Sequence, residues 1–165
     1  MMLRRSYLFA IALASTLGLT APASAQNVVE VAASTGQFDT LIAAAKAAGL
    51  ADDLAKASPI TVFAPTDAAF AKLPRGTVKA LLKPENRGQL RAILSYHVLP
   101  AKVLAQDVPH KPTFVKTLNP NDTVRVVRRG KRVHVDRSRV IKANVKAENG
   151  VIHVIDRVLM PGKAH

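Results

Sequence analysis

Acid–base or metal chemistry in this chain would have to come from five histidines and eleven carboxylates, because it has no cysteine. The histidines are His97, His110, His134, His153 and His165. None falls at the short spacing of a zinc-ligand pair, where donors stand a few residues apart. The carboxylates are scattered through the chain. No Gly-x-Ser-x-Gly, His-Glu-x-x-His or glycine-rich phosphate loop occurs. The spacing therefore encodes neither nucleophilic nor metal-assisted catalysis, and it implies no cofactor.

Charge is the denser signal. The 165 residues carry 24 Lys and Arg against 11 Asp and Glu, a net +13. Between Lys111 and Lys146 stand eleven basic residues and only two acids, Asp122 and Asp136. Arg125, Arg128, Arg129, Lys131 and Arg132 are the densest part of this segment and form the candidate binding residues. Clustered charge of one sign raises the local potential and attracts polyanions. A protected sheet edge also carries Lys or Arg, but it needs only two or three. The expected partner is an acidic polysaccharide, lipopolysaccharide phosphates or another anionic surface, with a second protein as an alternative. No aromatic residue lies between Val115 and Lys146. That argues against stacking on single strands, and no specific nucleic-acid partner is expected.

The elements that must position these charges are legible in outline. Val28 to Ala33 and Gln37 to Ala48 read as helices. The second has an apolar face of Phe38, Leu41, Ile42 and Ala45, with Gly49 placed as a left-handed cap. Asp52, Asp53 and Lys56 mark a short helix. Ile60 to Phe63 reads as a strand that Pro65 stops. Thr66 then caps a helix carrying Asp67, with Phe70 expected to be largely buried. Thr77 is expected to cap Val78 to Leu82, and Pro84 to open a helix running to about Ser95.

From Val98 onward, prolines at 100, 109, 112 and 120 punctuate short strands. Thr123 to Asp136 reads as a hairpin. A two-residue turn at Arg129-Gly130 would pair Val126 with Val133, Val124 with Val135, Arg125 with His134 and Val127 with Arg132. Val151 to Leu159 reads as a central, almost wholly apolar strand.

Three of these segments, taken in order, resemble a known family. Thr61-Val-Phe-Ala-Pro-Thr-Asp-Ala-Ala-Phe-Ala-Lys-Leu-Pro74 is very similar to the first signature box of the fasciclin (FAS1) domain. Ile93-Leu-Ser-Tyr-His-Val-Leu99 resembles its Tyr-His segment, with Tyr96 and His97 at the matching positions. Asn149-Gly-Val-Ile-His-Val-Ile-Asp-Arg-Val-Leu159 resembles its second box. The resemblance covers residues 27–161 and departs at Leu118-Asn-Pro120, where the family often has Leu-Asn-Gly.

It implies an α+β domain, a β-wedge or sandwich with small N-terminal helices. It also implies a secreted, non-enzymatic adhesion or matrix module. In the family the Tyr-His segment is linked with adhesion and with holding the fold, which makes Tyr96 and His97 candidate binding residues. From the residues alone, His97 at the end of an apolar helix reads as a hydrogen-bonded core group, with Asp67 as one conceivable partner. The rival functions are a periplasmic small-ligand-binding protein and an envelope enzyme.

Residues 1–25 read as a cleaved export signal, which places the product in the periplasm or outside the cell. Arg4 and Arg5 supply the positive start, Leu8 to Leu19 the apolar run, and Ala23-Ser24-Ala25 the cleavage pattern. Arg4 to Leu8 also resembles part of a twin-arginine signal. Cleavage would leave Gln26 first, with 22 basic against 11 acidic residues, net +11. No transmembrane anchor is expected.

Overall fold

Asn27 caps the first helix. Its side chain accepts the N–H groups of Val29 (3.0 Å) and Glu30 (3.1 Å), and the Glu30 carboxylate accepts the Asn27 N–H (3.0 Å). This reciprocal cap satisfies donors that the first turn would otherwise leave open, and α1 spans Val28–Ser34. The computed structural model describes residues 25–162. The expected export signal lies outside these residues, apart from Ala25.

The second helix, α2, spans Asp39–Ala47 and ends as the sequence predicts. Gly49 takes φ +70°, its N–H reaches the Lys46 carbonyl, and the Leu50 N–H reaches Ala45. These two bonds are a Schellman cap, and they fold Leu50 back into the core. A short helix, α3 (Ala51–Lys56), leads to strand β1 (Ile60–Pro65). Thr66 caps α4 (Asp67–Ala71) by accepting the Ala69 N–H at 3.2 Å. In α5 (Thr77–Leu81) the cap is Gly76 at φ +83°, not the expected Thr77, which is already helical. Pro84 opens a single 3-10 turn, which runs into α6 (Arg87–Tyr96).

The remaining strands are β2 (Val98–Leu99), β3 (Thr113–Lys116), β4 (Thr123–Arg129), β5 (Arg132–Val135), β6 (Ser138–Ala147) and β7 (Gly150–Ile155). They form one seven-stranded sheet in the order β2-β1-β7-β6-β5-β4-β3. β1 and β7 run parallel, and the other neighbours are antiparallel. The fold is α+β, and β7 is central as expected. Every residue of β1 and β7 is buried. Alternate residues divide between two cores. Ile60, Val62, Ala64, Ile152 and Val154 meet helices α1, α2 and α6. Phe63 and Ile155 meet Tyr96, Leu99 and the valines 124, 126, 133 and 135, because β3–β5 curl over that side.

Four further expectations are corrected. The hairpin turn is Gly130-Lys131, which pairs Val126 with Val135, Val127 with His134, Arg128 with Val133 and Arg129 with Arg132. Gly130 takes φ +62° at the first turn position, where a hairpin turn of this kind demands a glycine. The predicted register was two residues away and kept the same residues facing inward. β7 stops at Ile155, short of the expected Leu159, and the Asp156 carboxylate that follows accepts the Arg139 N–H at 2.8 Å. Phe70 is only partly buried, and Ala69 is the α4 residue that reaches the interior. Asp67 does not reach His97; its Oδ1 accepts the Thr40 N–H at 2.9 Å in the first turn of α2.

Candidate functional site

The end of α6 places Tyr96 and His97 side by side in the interior, at 1% and 2% exposure. His97 Nδ1 donates to the Ile93 carbonyl (2.8 Å), one helical turn back. Its Nε2 accepts the Leu159 N–H (2.9 Å). Both ring nitrogens are engaged by a neutral imidazole, and burial pushes the pKa down to about 4. The Tyr96 hydroxyl donates to Asp136 Oδ2 at 2.7 Å and lies 3.2 Å from the Thr123 carbonyl. Burial, then the Asp136 carboxylate, pushes its pKa up. Asp136 Oδ1 accepts the Arg125 N–H at 2.9 Å. As placed here, Tyr96 and His97 offer no surface to a partner: they fasten α6 to β7's exit and to the β4–β5 hairpin. Asp136, the residue that receives Tyr96, lies 40 positions away, and no local sequence signal marks it.

His153 and Asn149 are two further fastenings. His153 in β7 faces inward at 3% exposure. Its Nε2 donates to the Val103 carbonyl (2.7 Å) and its Nδ1 accepts the Asn144 N–H (3.2 Å). Burial lowers its pKa. Asn149 donates through Nδ2 to the carbonyls of Leu54 and Ala57, each at 2.8 Å, and accepts the Val28 N–H at 2.9 Å. One buried amide thus joins α1, α3 and the start of β7.

The charged hairpin is the exposed feature. Residues opposite one another in register share a face. Lys116 opposes Thr123, Phe114 opposes Arg125, Arg129 opposes Arg132 and His134 opposes Arg139. Lys116, Arg125, Arg129, Arg132 and Arg139 therefore gather on the outer face of β3–β6, away from the inward valines. Lys131 stands exposed in the turn. Val127 on the same face is only 4% exposed, covered by its neighbours. Arg125 is partly buried, with Nε out of water and no acceptor among the described residues.

Arg128 departs from the group. It opposes Val133 on the inner face, and its Nε donates to the Val108 carbonyl at 3.2 Å. The two ion pairs among the described residues, Lys83–Glu85 and Arg91–Asp53, lie elsewhere. The arginines of this face thus carry charge that no carboxylate offsets at contact distance.

Among the described residues no group of three or more His, Asp or Glu could hold a metal. An apolar pocket under α1 and α2, lined by Val28, Leu41, Val62 and Leu94, measures about 40 Å³. Small-molecule sites run to roughly 300–1,000 Å³. This apolar pocket falls short of that, while an open groove lined by Leu50, Asp53, Arg91 and Leu118 measures about 430 Å³. No helix of the described residues is long and apolar enough to cross a membrane.

Comparison with known proteins agrees with this geometry. The fasciclin domain family's sequence profile matches residues 36–161. Protein sll1483 of Synechocystis sp. is 50% identical over 138 residues, 84% of this chain and 75% of that protein. The immunogenic protein MPB70 of Mycobacterium bovis is 34% identical over 151 residues, 86% of this chain and 75% of that one. Transforming growth factor-beta-induced protein ig-h3 of Sus scrofa is 36% identical over 135 residues, 82% of this chain but 19% of its own length. Among solved structures, the FAS1 domain pair of the insect cell adhesion molecule Fasciclin I superposes with a TM-score of 0.72 at 20% identity. That match covers 84% of this chain and 52% of the solved one, and it speaks for the fold. With its profile match, its relatives and its sheet-and-helix architecture in agreement, the chain belongs to the fasciclin domain family.

Proposed function

We propose that this domain is a secreted, non-enzymatic module for adhesion or envelope and matrix association, and that it contacts anionic polymers through the outer face of β3–β6. The observation that carries the reading is the register. It collects Lys116, Arg125, Arg129, Arg132 and Arg139 on one face, and none of their side chains forms an ion pair among the described residues. Such a surface attracts polyanions over the range set by salt screening, about 30 Å at 0.01 M and about 8 Å at 0.15 M.

Export is supported by the Arg4-Arg5 start, the apolar run and the Ala23-Ser24-Ala25 pattern. The non-enzymatic reading is supported by where the perturbed ionisable groups lie: Tyr96, His97 and His153 are all buried and hydrogen-bonded rather than gathered in a cleft. Binding to immobilised heparin and to purified lipopolysaccharide tests the polymer contact. Retention at low salt that is lost by about 0.15 M salt supports it, and no retention at low salt rejects it.

A further inference from the structure

The cationic face is bordered by apolar side chains. Three large ones are exposed among the described residues: Phe114 at 57%, Leu118 at 40% and Ile141 at 52%. Phe114 belongs to this face, and Ile141 lies beside it on β6. Phe114 in β3 opposes Arg125 directly. Ile141 stands two positions beyond Arg139 in β6, where the register with β7 steps from Val140↔Ile155 to Lys142↔Val154. Ile141 thus falls within a bulge or irregularity of β6, where strict alternation is broken. Three strand spacings of about 4.8 Å put β3 and β6 roughly 14 Å apart. Arg125, Arg129 and Arg132 occupy the space between, on β4 and β5, and Arg139 stands on β6 itself.

A purely polyanionic chain offers nothing to Phe114 or Ile141. A bilayer of anionic lipids offers both parts, phosphates at the surface and acyl chains beneath. We propose that the outer face of β3–β6 seats on a membrane surface of anionic lipid headgroups. Arg125, Arg129, Arg132 and Arg139 meet the headgroup phosphates, while Phe114 and Ile141 enter the boundary between headgroups and acyl chains. Basic residues near such a surface add attraction that salt weakens. Buried apolar area adds a part that salt does not weaken. This inference rests on the cationic face being the binding surface and names its partner.

The experiment compares vesicles with heparin. Vesicles of equal parts phosphatidylglycerol and phosphatidylcholine are sedimented with the wild type and with the Phe114→Ser, Ile141→Ser double variant. Vesicles of phosphatidylcholine alone serve as control. The wild type is expected to bind the anionic vesicles and not the control. The double variant is expected to bind vesicles about tenfold or more weakly while holding heparin as the wild type does.

The chain has no Trp, so Phe114→Trp is a single reporter. Its emission is expected to shift to the blue on anionic vesicles and to stay unchanged on heparin. Vesicle binding unaffected by the double substitution, or a reporter that does not shift, overturns the inference and leaves the polymer reading standing. Loss of heparin and vesicle binding together in the double variant also overturns it. Wild type that binds neither ligand rejects the polymer reading and the inference together.

Discussion

His97 Nε2 accepts the backbone N–H of Leu159 across 62 residues of chain, at 2.9 Å and out of contact with water. With Nδ1 donating to Ile93, the ring fixes the exit of β7 to the end of α6. His97→Ala removes the acceptor and leaves the Leu159 N–H buried without a partner. The expected loss is about 1–3 kcal/mol, measured by denaturant unfolding.

The same ring makes stability depend on pH. Unfolded, His97 titrates near 6.5; folded, burial holds it near 4. The folded state resists a proton that the unfolded state accepts. The stabilisation is therefore fully present above pH 6.5 and is lost as pH falls from there toward 4. The total is on the order of 3 kcal/mol. His153, lowered in the same direction, adds to the loss. Melting temperatures taken across that window are expected to fall more for the wild type than for His97→Ala. Parallel curves would contradict this role for His97.

Tyr96→Phe keeps the ring and removes one hydroxyl. It leaves Asp136 Oδ2 without its donor, while Oδ1 still holds Arg125. The expected cost is about 1–3 kcal/mol, with hydrogen exchange rising first in β4 and β5, which Asp136 ties to α6.

Packing separates two phenylalanines that look alike in sequence. Phe63 is 3% exposed and stacks on His153 with ring centroids 5.8 Å apart. Phe70 lies at the margin of the helical core. Phe63→Ala is expected to cost about 3–5 kcal/mol, and Phe70→Ala clearly less. Gly150→Ala is expected to destabilise by about 1–3 kcal/mol or more. A Cβ there would collide with the Ile60 carbonyl oxygen, where β7 lies against β1. Thermal melts of the three variants give the ranking.

These contrasts show how far the sequence could be read. The cap at Thr66, the Schellman end at Gly49 and the burial of β7 follow from local chemistry, and they appear as expected. The hairpin register did not follow, because a shift of two residues leaves Val124, Val126, Val133 and Val135 facing inward. Only the glycine conformation at the turn chooses between the two registers. β6 carries no alternating signature, because register shifts at Val140–Lys142 and Lys142–Val145 break it. The Tyr96–Asp136 contact spans 40 residues and has no local pattern. The charge cluster was legible, but its division was not. Arg128 turns inward to Val108, while Arg139, outside the expected hairpin, joins the exposed face.

The central claim is that this face is what the domain binds with. The direct measurement is heparin affinity by titration calorimetry, at salt from about 0.01 M to about 0.15 M. The wild type is compared with the Arg129→Gln, Lys131→Gln, Arg132→Gln, Arg139→Gln variant. All four positions are exposed, so each substitution should shift stability by only about 0.5 kcal/mol. The account predicts tight, strongly salt-dependent binding by the wild type. It predicts that the variant binds at least about tenfold more weakly at low salt, with an unchanged circular dichroism spectrum. Equal affinity and equal salt dependence in the two proteins would contradict it.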